Sequence, residues 1–275
     1  MAELRNIRWK RLLKDLISKQ SREIFLKSRS LQWALTYCLR QQNHIVLNEL
    51  EDLILEYRGI KYLPHVLNYP RIFEAYDRYK IEELLPTDIV LDLGANIGSF
   101  SLPAAKIAKK VTAVEPLFSF ALKENIKLNH LLNVTVIEGS IGTTKVNCQE
   151  YKGKAKMLPI LAVPIEPSIP SDATFVRMDI GGAEWLIDPY VIITPKVRHL
   201  ELELHFWTRE QRKNSKEFVS WMLVLEKRGL NSIIRRSKHG HWIYISADKS
   251  YKEPKWVQLR DGSFIGRSKE GWNEN

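Results

Sequence analysis

The apolar run Ile89-Val90-Leu91, followed at once by Asp92-Leu93-Gly94-Ala95-Asn96-Ile97-Gly98, constrains this chain more than any other stretch. A strand that ends in a glycine-bearing turn and leads into a helix opens a βαβ unit, and a second apolar run, Val111-Thr112-Ala113-Val114, ends in Glu115 about twenty residues on. Gly94 and Gly98 allow the backbone to turn sharply and a ligand to come close where a Cβ would obstruct it. Glu115 stands where a ribose diol can donate hydrogen bonds to it.

The glycine spacing selects among cofactors. A dinucleotide fingerprint reads G-x-G-x-x-G, and its amides and helix N-terminus meet a pyrophosphate. This chain reads D-x-G-x-x-x-G, with no middle glycine and with an acid at the strand end. Asp92 there repels a pyrophosphate and welcomes a cationic amino-acid group. A nucleoside that carries positive charge and no phosphate is expected, and S-adenosylmethionine fits. Asp92, Gly94, Ala95, Asn96, Gly98, Glu115 and Ser140 are the expected cofactor-binding residues.

From Ile89 onward, short apolar strands alternate with helical patterns, the signature of an α/β, doubly wound parallel sheet. The expected strands are Ile89 to Leu93, Val111 to Glu115, Val134 to Glu138, Thr174 to Asp179 and Val197 to Leu204. Helices are expected over Ser99 to Lys109, Phe118 to Asn129 and Trp207 to Arg228, and a final antiparallel pair over Asn231 to Arg235 and His241 to Ala247. Between Thr143 and Pro170 the alternation breaks. Thr144 to Cys148 and Lys154 to Ile160 read as an extra strand pair, a rim of the substrate pocket or a surface excursion. Tyr57-Arg58-Gly59-Ile60-Lys61-Tyr62 reads as a short hairpin, and Ile72 to Leu85 as the helix that enters the main domain.

Two segments resemble the class I S-adenosylmethionine-dependent methyltransferases, and within them the FkbM-like family: Val90 to Ser101, and Val176-Arg177-Met178-Asp179-Ile180-Gly181-Gly182-Ala183-Glu184. The strand His199-Leu200-Glu201-Leu202-Glu203-Leu204-His205 adds a third echo. The likeness spans roughly residues 69 to 247 and implies a Rossmann-like seven-stranded methyltransferase sheet. It also implies an enzyme that methylates oxygen of a small-molecule or saccharide acceptor. The second signature of that family reads D-x-E-G-x-E, and Gly181 stands where its middle Glu is expected.

Asp179, at the end of the fourth strand, is implied to face the acceptor. Methylating a hydroxyl requires removal of its proton as the oxygen attacks in line, so Asp179, with Glu203 and His205 close behind, forms the candidate catalytic set. The other possibility is that Asp179 caps the following turn. Glu138-Gly139-Ser140, after the third strand, lies where such enzymes place a residue near adenine. Among His199, His205, His239 and His241 there is no zinc spacing, nor is there an H-E-x-x-H or Cys cluster, so no metal is expected.

The formal charge of +10 is uneven: residues 1–40 carry ten Lys or Arg against three acids, a net +7. Leu4, Ile7, Leu12, Leu13, Leu16 and Ile17 recur at helical spacing among these cations, so residues 1–68 read as a basic helical extension. That extension is a solvated helix face packed on the main domain, or it meets RNA or an anionic membrane surface. The methyltransferase domain is expected over residues 69–248, with a tail over 249–275 whose Tyr251, Trp256 and Trp272 either stack on bases or pack the tail down. Cys38 and Cys148 make no framework. With no apolar run long enough to cross a bilayer and no signal peptide, a cytoplasmic protein is expected. The rival enzyme reading is a tRNA methyltransferase, from the basic extension and Glu124-Asn125-Ile126-Lys127-Leu128-Asn129. A third reading is a non-catalytic binding protein that keeps the cofactor fold.

Overall fold

A computed structural model of the chain describes residues 54–63, 72, 75, 76, 78–141, 145–149, 155–159, 162, 163, 169–206, 215–236, 242–251, 257, 258, 264 and 265. The expected amphipathic helix over residues 4–17, Cys38, Trp256 and Trp272 lie outside them. A hairpin of β1 (Leu55–Tyr57) and β2 (Ile60–Tyr62) comes first. Both of its turn residues have positive φ, 50° at Arg58 and 74° at Gly59, as a two-residue type I′ turn requires.

Seven strands then build one mixed sheet. Its first three strands are parallel: β3 (Ile89–Leu93), β4 (Lys110–Glu115) and β5 (Val134–Glu138). After a run of small sheets come β10 (Phe175–Met178) and β11 (His199–His205), also parallel to β3. The last two, β12 (Asn231–Arg236) and β13 (Trp242–Asp248), close the sheet as an antiparallel pair. Across the sheet the order is β12-β13-β11-β10-β3-β4-β5, with β13 running against β11. Every expected strand is present within a residue or two. The order reverses at β3, between β10 on one side and β4 on the other, and the mouth at that point is where an open α/β sheet holds its ligand.

Period-2 alternation gives the sheet two buried faces. Leu91, Leu93, Val176, Met178, Leu200, Leu202 and Leu204 point to one side, where they pack with Trp221, Met222, Val224 and Leu225 of helix α3 (Ser215–Lys227). On the other side Val90 and Phe175 pack with Phe100, Ala104, Tyr79 and Ile81. This second face also receives Asp92, Arg177, Glu201 and Glu203, all buried. The register puts Arg177 opposite Asp92 on one neighbour and Glu201 on the other, so a charged layer crosses the middle of the sheet.

Helix α1 covers only Ser101–Ala105, shorter than expected, because Pro103 has no N–H to donate and the preceding residues 96–100 are turns. Helix α2 (Ser119–Leu128) matches its expectation. The stretch from Ile72 to Leu85 is not one helix. Ile72, Ala75, Tyr76 and Arg78 are helical, the chain then breaks at Tyr79 and Lys80, and a 3-10 turn follows over Ile81–Glu83. At the break the Lys80 N–H donates to Glu201 Oε1 at 3.3 Å, a side-chain bond that stands in for the lost helical one. The irregular region after β5 contains β6 (Ser140–Ile141) paired with β9 (Ala162–Val163), and an antiparallel pair, β7 (Lys145–Gln149) with β8 (Ala155–Pro159), as the sequence suggests.

Candidate active site

The carboxyl ends of β3, β4, β5 and β10 surround one cleft, and the helical residues Ala75 and Arg78 with Tyr79 wall its remaining side. Gly94, Asn96, Glu115, Ser140 and Asp179 all line it, so the fold brings together residues expected separately as cofactor and acceptor groups. Asp92, Ala95, Gly98, Glu203 and His205 are not on its surface.

Gly94 has φ 83°, and a Cβ on it would stand 2.0 Å from the carbonyl oxygen of Asp179. Only glycine lets β3 and the end of β10 meet this closely. Gly98, φ 96°, serves packing instead. A Cβ there would lie 1.7 Å from Leu102 Cδ1, so this glycine seats α1 on the sheet rather than admitting a ligand. Asn96 also takes positive φ, 54°, and its Oδ1 accepts from the Ile97 N–H at 2.9 Å, the local bond that makes Asn tolerable there.

Glu115 holds the loops together. Its Oε2 accepts from the Asn96 N–H at 2.7 Å, and its Oε1 accepts from the amides of Leu117 and Phe118 at 2.7 and 3.0 Å. Burial pushes its pKa up, against the pull of these three bonds. Each carboxylate oxygen offers two lone pairs, so Oε2 keeps capacity for one further donor. Glu138 is turned away, bound to Lys123 and to Ser119 Oγ, and leaves Gly139 and Ser140 at the cleft.

Asp92 differs from its expected place. Its Oδ2 accepts from Ser101 Oγ and its Oδ1 from Arg177 Nη1 at 3.0 Å, so its charge is neutralised inside the sheet and does not reach the mouth. Burial raises its pKa even so. Arg177, to which sequence reasoning assigns no role, is the centre of the layer. Nη1 also donates to the Gly94 carbonyl at 2.8 Å, while Nη2 donates to Asp179 Oδ2 at 2.8 Å and to Tyr79 Oη at 2.7 Å. Its guanidinium stacks 4.4 Å from the Tyr79 ring centroid. A cation in the apolar strand Phe-Val-Arg-Met was the available signal, since charged residues enter a central strand only with partners.

Asp179 Oδ2 takes the bonds from Arg177 and from Tyr79, the latter at 3.0 Å. Behind it, Glu203 Oε1 accepts from Arg78 Nη1 at 2.7 Å and lies 2.9 Å from Tyr79 Oη, whose single proton it shares with Asp179. His205 Nε2 stands 3.5 Å from Asp179 Oδ1 and 3.7 Å from Glu203 Oε2, and His205 Nδ1 lies 2.9 Å from Glu184 Oε1. Burial, followed by the charge of Asp179, pushes Glu203 up. Burial alone would lower His205, but the bond to Glu184 and the surrounding acids outweigh it and raise the imidazole. Gly181 is on the cleft wall with φ 64°, and a Cβ there would meet nothing within 4 Å, so the place of the expected Glu is open space.

Strand order, reversed last strand, glycine-bearing first turn and acid at the end of the second strand are now all in place. The architecture is that of the class I S-adenosylmethionine-dependent methyltransferase fold. No family model matches the chain. An uncharacterised protein of Methanocaldococcus jannaschii is 40% identical over 88 residues, 30% of this chain and 32% of the relative. A 23S rRNA (uracil(1939)-C(5))-methyltransferase, RlmD, of a Shewanella species is 35% identical over 75 residues, 26% of this chain and 16% of the relative. The chain thus spans a third or less of the length of the curated relatives it matches. Among solved structures, M. jannaschii TYW2 in complex with AdoMet aligns at 19% identity and TM-score 0.46, over 74% of this chain and 88% of that one. Among the described residues, no helix is long and apolar enough to cross a membrane.

Proposed function

We propose that this chain transfers the methyl group of S-adenosylmethionine to an acceptor that enters beside Asp179. The observation that carries the reading is the shared cleft: Gly94, Asn96 and Glu115 lie on one side and Asp179 on the other. The nucleoside would lie along the apolar stretch of Val114, Pro116 and Leu117, with a ribose hydroxyl donating to Glu115 Oε2. When bound, S-adenosylmethionine would supply an electrophilic methyl group on its sulfonium sulfur, and Asp179 would accept the proton that the attacking acceptor atom gives up. Arg177 and Tyr79 hold the Asp179 carboxylate in place, and most of the rate would come from alignment in a cleft shielded from water.

RNA is the acceptor class with more support. One curated relative methylates 23S rRNA, and the formal charge of +10 suits a polyanion. The second reading, an FkbM-like O-methyltransferase of a small-molecule or saccharide hydroxyl, is favoured by the segment Val176 to Glu184 and by the acid at Asp179. Labelled methyl transfer from S-adenosylmethionine into a cell extract, fractionated afterwards, separates them. Nuclease-sensitive label supports RNA, and label in the small-molecule or glycan fraction supports the hydroxyl. If no fraction gains label above that given by Asp179→Asn, the methyltransferase reading falls and a non-catalytic cofactor-fold protein takes its place.

A further inference from the structure

Asp179, Glu203 and His205 each offer one ligand atom, and these atoms all lie within 4.8 Å of one another. They come from two adjacent parallel strands: Glu203 and His205 point to the same side of β11, and Asp179 follows the end of β10. We propose that these three residues form a divalent-cation site in the wall of the cleft, an assignment that does not depend on methyl transfer.

Geometry is the first support. Ligands about 2.1 Å from a zinc-like ion at tetrahedral angles stand roughly 3.4 Å apart. His205 Nε2 is 3.5 Å from Asp179 Oδ1 and 3.7 Å from Glu203 Oε2, close to that spacing, and all three ligand atoms lie within 4.8 Å of one another. Orientation is the second. Glu184 Oε1 lies 2.9 Å from His205 Nδ1, the carboxylate–histidine arrangement that leaves Nε2 facing a metal.

Charge is the third support. A neutral Nε2 facing two carboxylate oxygens is repelled by both, so something positive must stand between them, either a proton on Nε2 or a cation. The surroundings decide how much is needed. Asp92, Asp179, Glu184 and Glu203 contribute four carboxylates, while Arg78 and Arg177 contribute two guanidinium groups. A divalent ion between the three ligand atoms would offset this excess of carboxylates. Glu184 is fully buried, and its Oε2 has no hydrogen-bond partner, an independent sign of missing positive charge beside His205. Access is available through Asp179, whose side chain is 14% exposed at the cleft, whereas Glu203 and His205 are 1% and 6% exposed. Two carboxylates and one imidazole suit Mn²⁺, Fe²⁺ or Zn²⁺ better than a soft ion, and three protein ligands leave positions open toward the cleft.

Titration of the purified full chain with Mn²⁺, followed by loss of the free-ion paramagnetic resonance signal, tests the site. One equivalent should bind. Glu203→Gln and His205→Gln should abolish it, and Glu184→Gln should weaken it by about 10–100-fold, as the loss of an outer carboxylate does. Asp88→Asn, which alters a carboxylate bonded to Arg198 and Thr174, should leave it unchanged. Co²⁺ read by visible absorption supplies a second probe, with circular dichroism as the check that each variant is folded. Absence of Mn²⁺ and Co²⁺ binding at millimolar metal, or binding unaffected in folded Glu203→Gln and His205→Gln, overturns the proposal and leaves an ion-pair cluster. S-adenosylmethionine binding measured on the same samples keeps that failure distinct from failure of the methyltransferase reading.

Discussion

Glu115 shows how one buried carboxylate can both build a site and serve it. Three backbone amides from two loops converge on it, so its removal unties the turn after β3 from the exit of β4 as well as deleting a ribose acceptor. Glu115→Ala should lose on the order of 1–3 kcal/mol of S-adenosylmethionine affinity, read by calorimetry. Asp88 makes a purely structural contrast at the opposite end of β3. Burial alone would raise its pKa, but bonds from Arg198, the Leu85 amide and Thr174 Oγ1 outweigh that and hold it below the usual range. Its contribution to stability is therefore present above its unfolded value of about 3.9 and is lost as pH falls through the lower folded value. Asp88→Asn should cost about 1–3 kcal/mol at neutral pH, and the difference from wild type in thermal unfolding should shrink below about pH 4. An offset that stays constant down to about pH 2 would contradict this.

The elements meet through a few side chains that replace missing backbone partners. Asn129 on the end of α2 grips β2: its Oδ1 accepts from the Lys61 N–H at 2.8 Å and its Nδ2 donates to the Lys61 carbonyl at 2.6 Å, while Asn125 Oδ1 accepts from the Leu63 N–H. Asn129→Ala should destabilise by about 1–3 kcal/mol, and it should speed amide hydrogen exchange at Lys61 and Leu63 while that of β3 is little changed. The same stretch, Glu124 to Asn129, reads in the sequence as an echo of RNA-modifying enzymes, whereas its grip on β2 was not legible, because a hydrogen bond to a residue 68 positions away leaves no local pattern. Strands were legible for the opposite reason. The apolar runs at Ile89, Val111 and Phe175 are buried on both faces of a parallel sheet, and that shows directly in composition. The break at Tyr79 was not legible, because it depends on Glu201, far along the chain, which accepts the Lys80 N–H.

At the scale of the whole molecule, the sheet gathers buried polar residues on one face behind the mouth where the strand order reverses, and of this layer Arg177 and Asp179 line the cleft. Asp92, Arg177, Glu201 and Glu203 were visible as acids and a base in apolar strands, but their pairing is a matter of register: Arg177 meets Asp92 and Glu201 only because β10 lies between β3 and β11. The cofactor turn was legible because its motif is contiguous; the layer behind Asp179 was not, since separate segments build it. Net charge acts at this scale too. If RNA is the acceptor, its affinity should fall steeply with salt and the slope should flatten when residues 1–40 are removed; unchanged affinity and slope would deny that extension its role. The central claim is that the cleft takes S-adenosylmethionine. Calorimetric titration of the full chain should show one site, weakened at least about fivefold in Gly94→Ala and Glu115→Ala with cooperative unfolding retained. A wild-type chain that binds no S-adenosylmethionine, or variants that bind it equally well, would contradict the account.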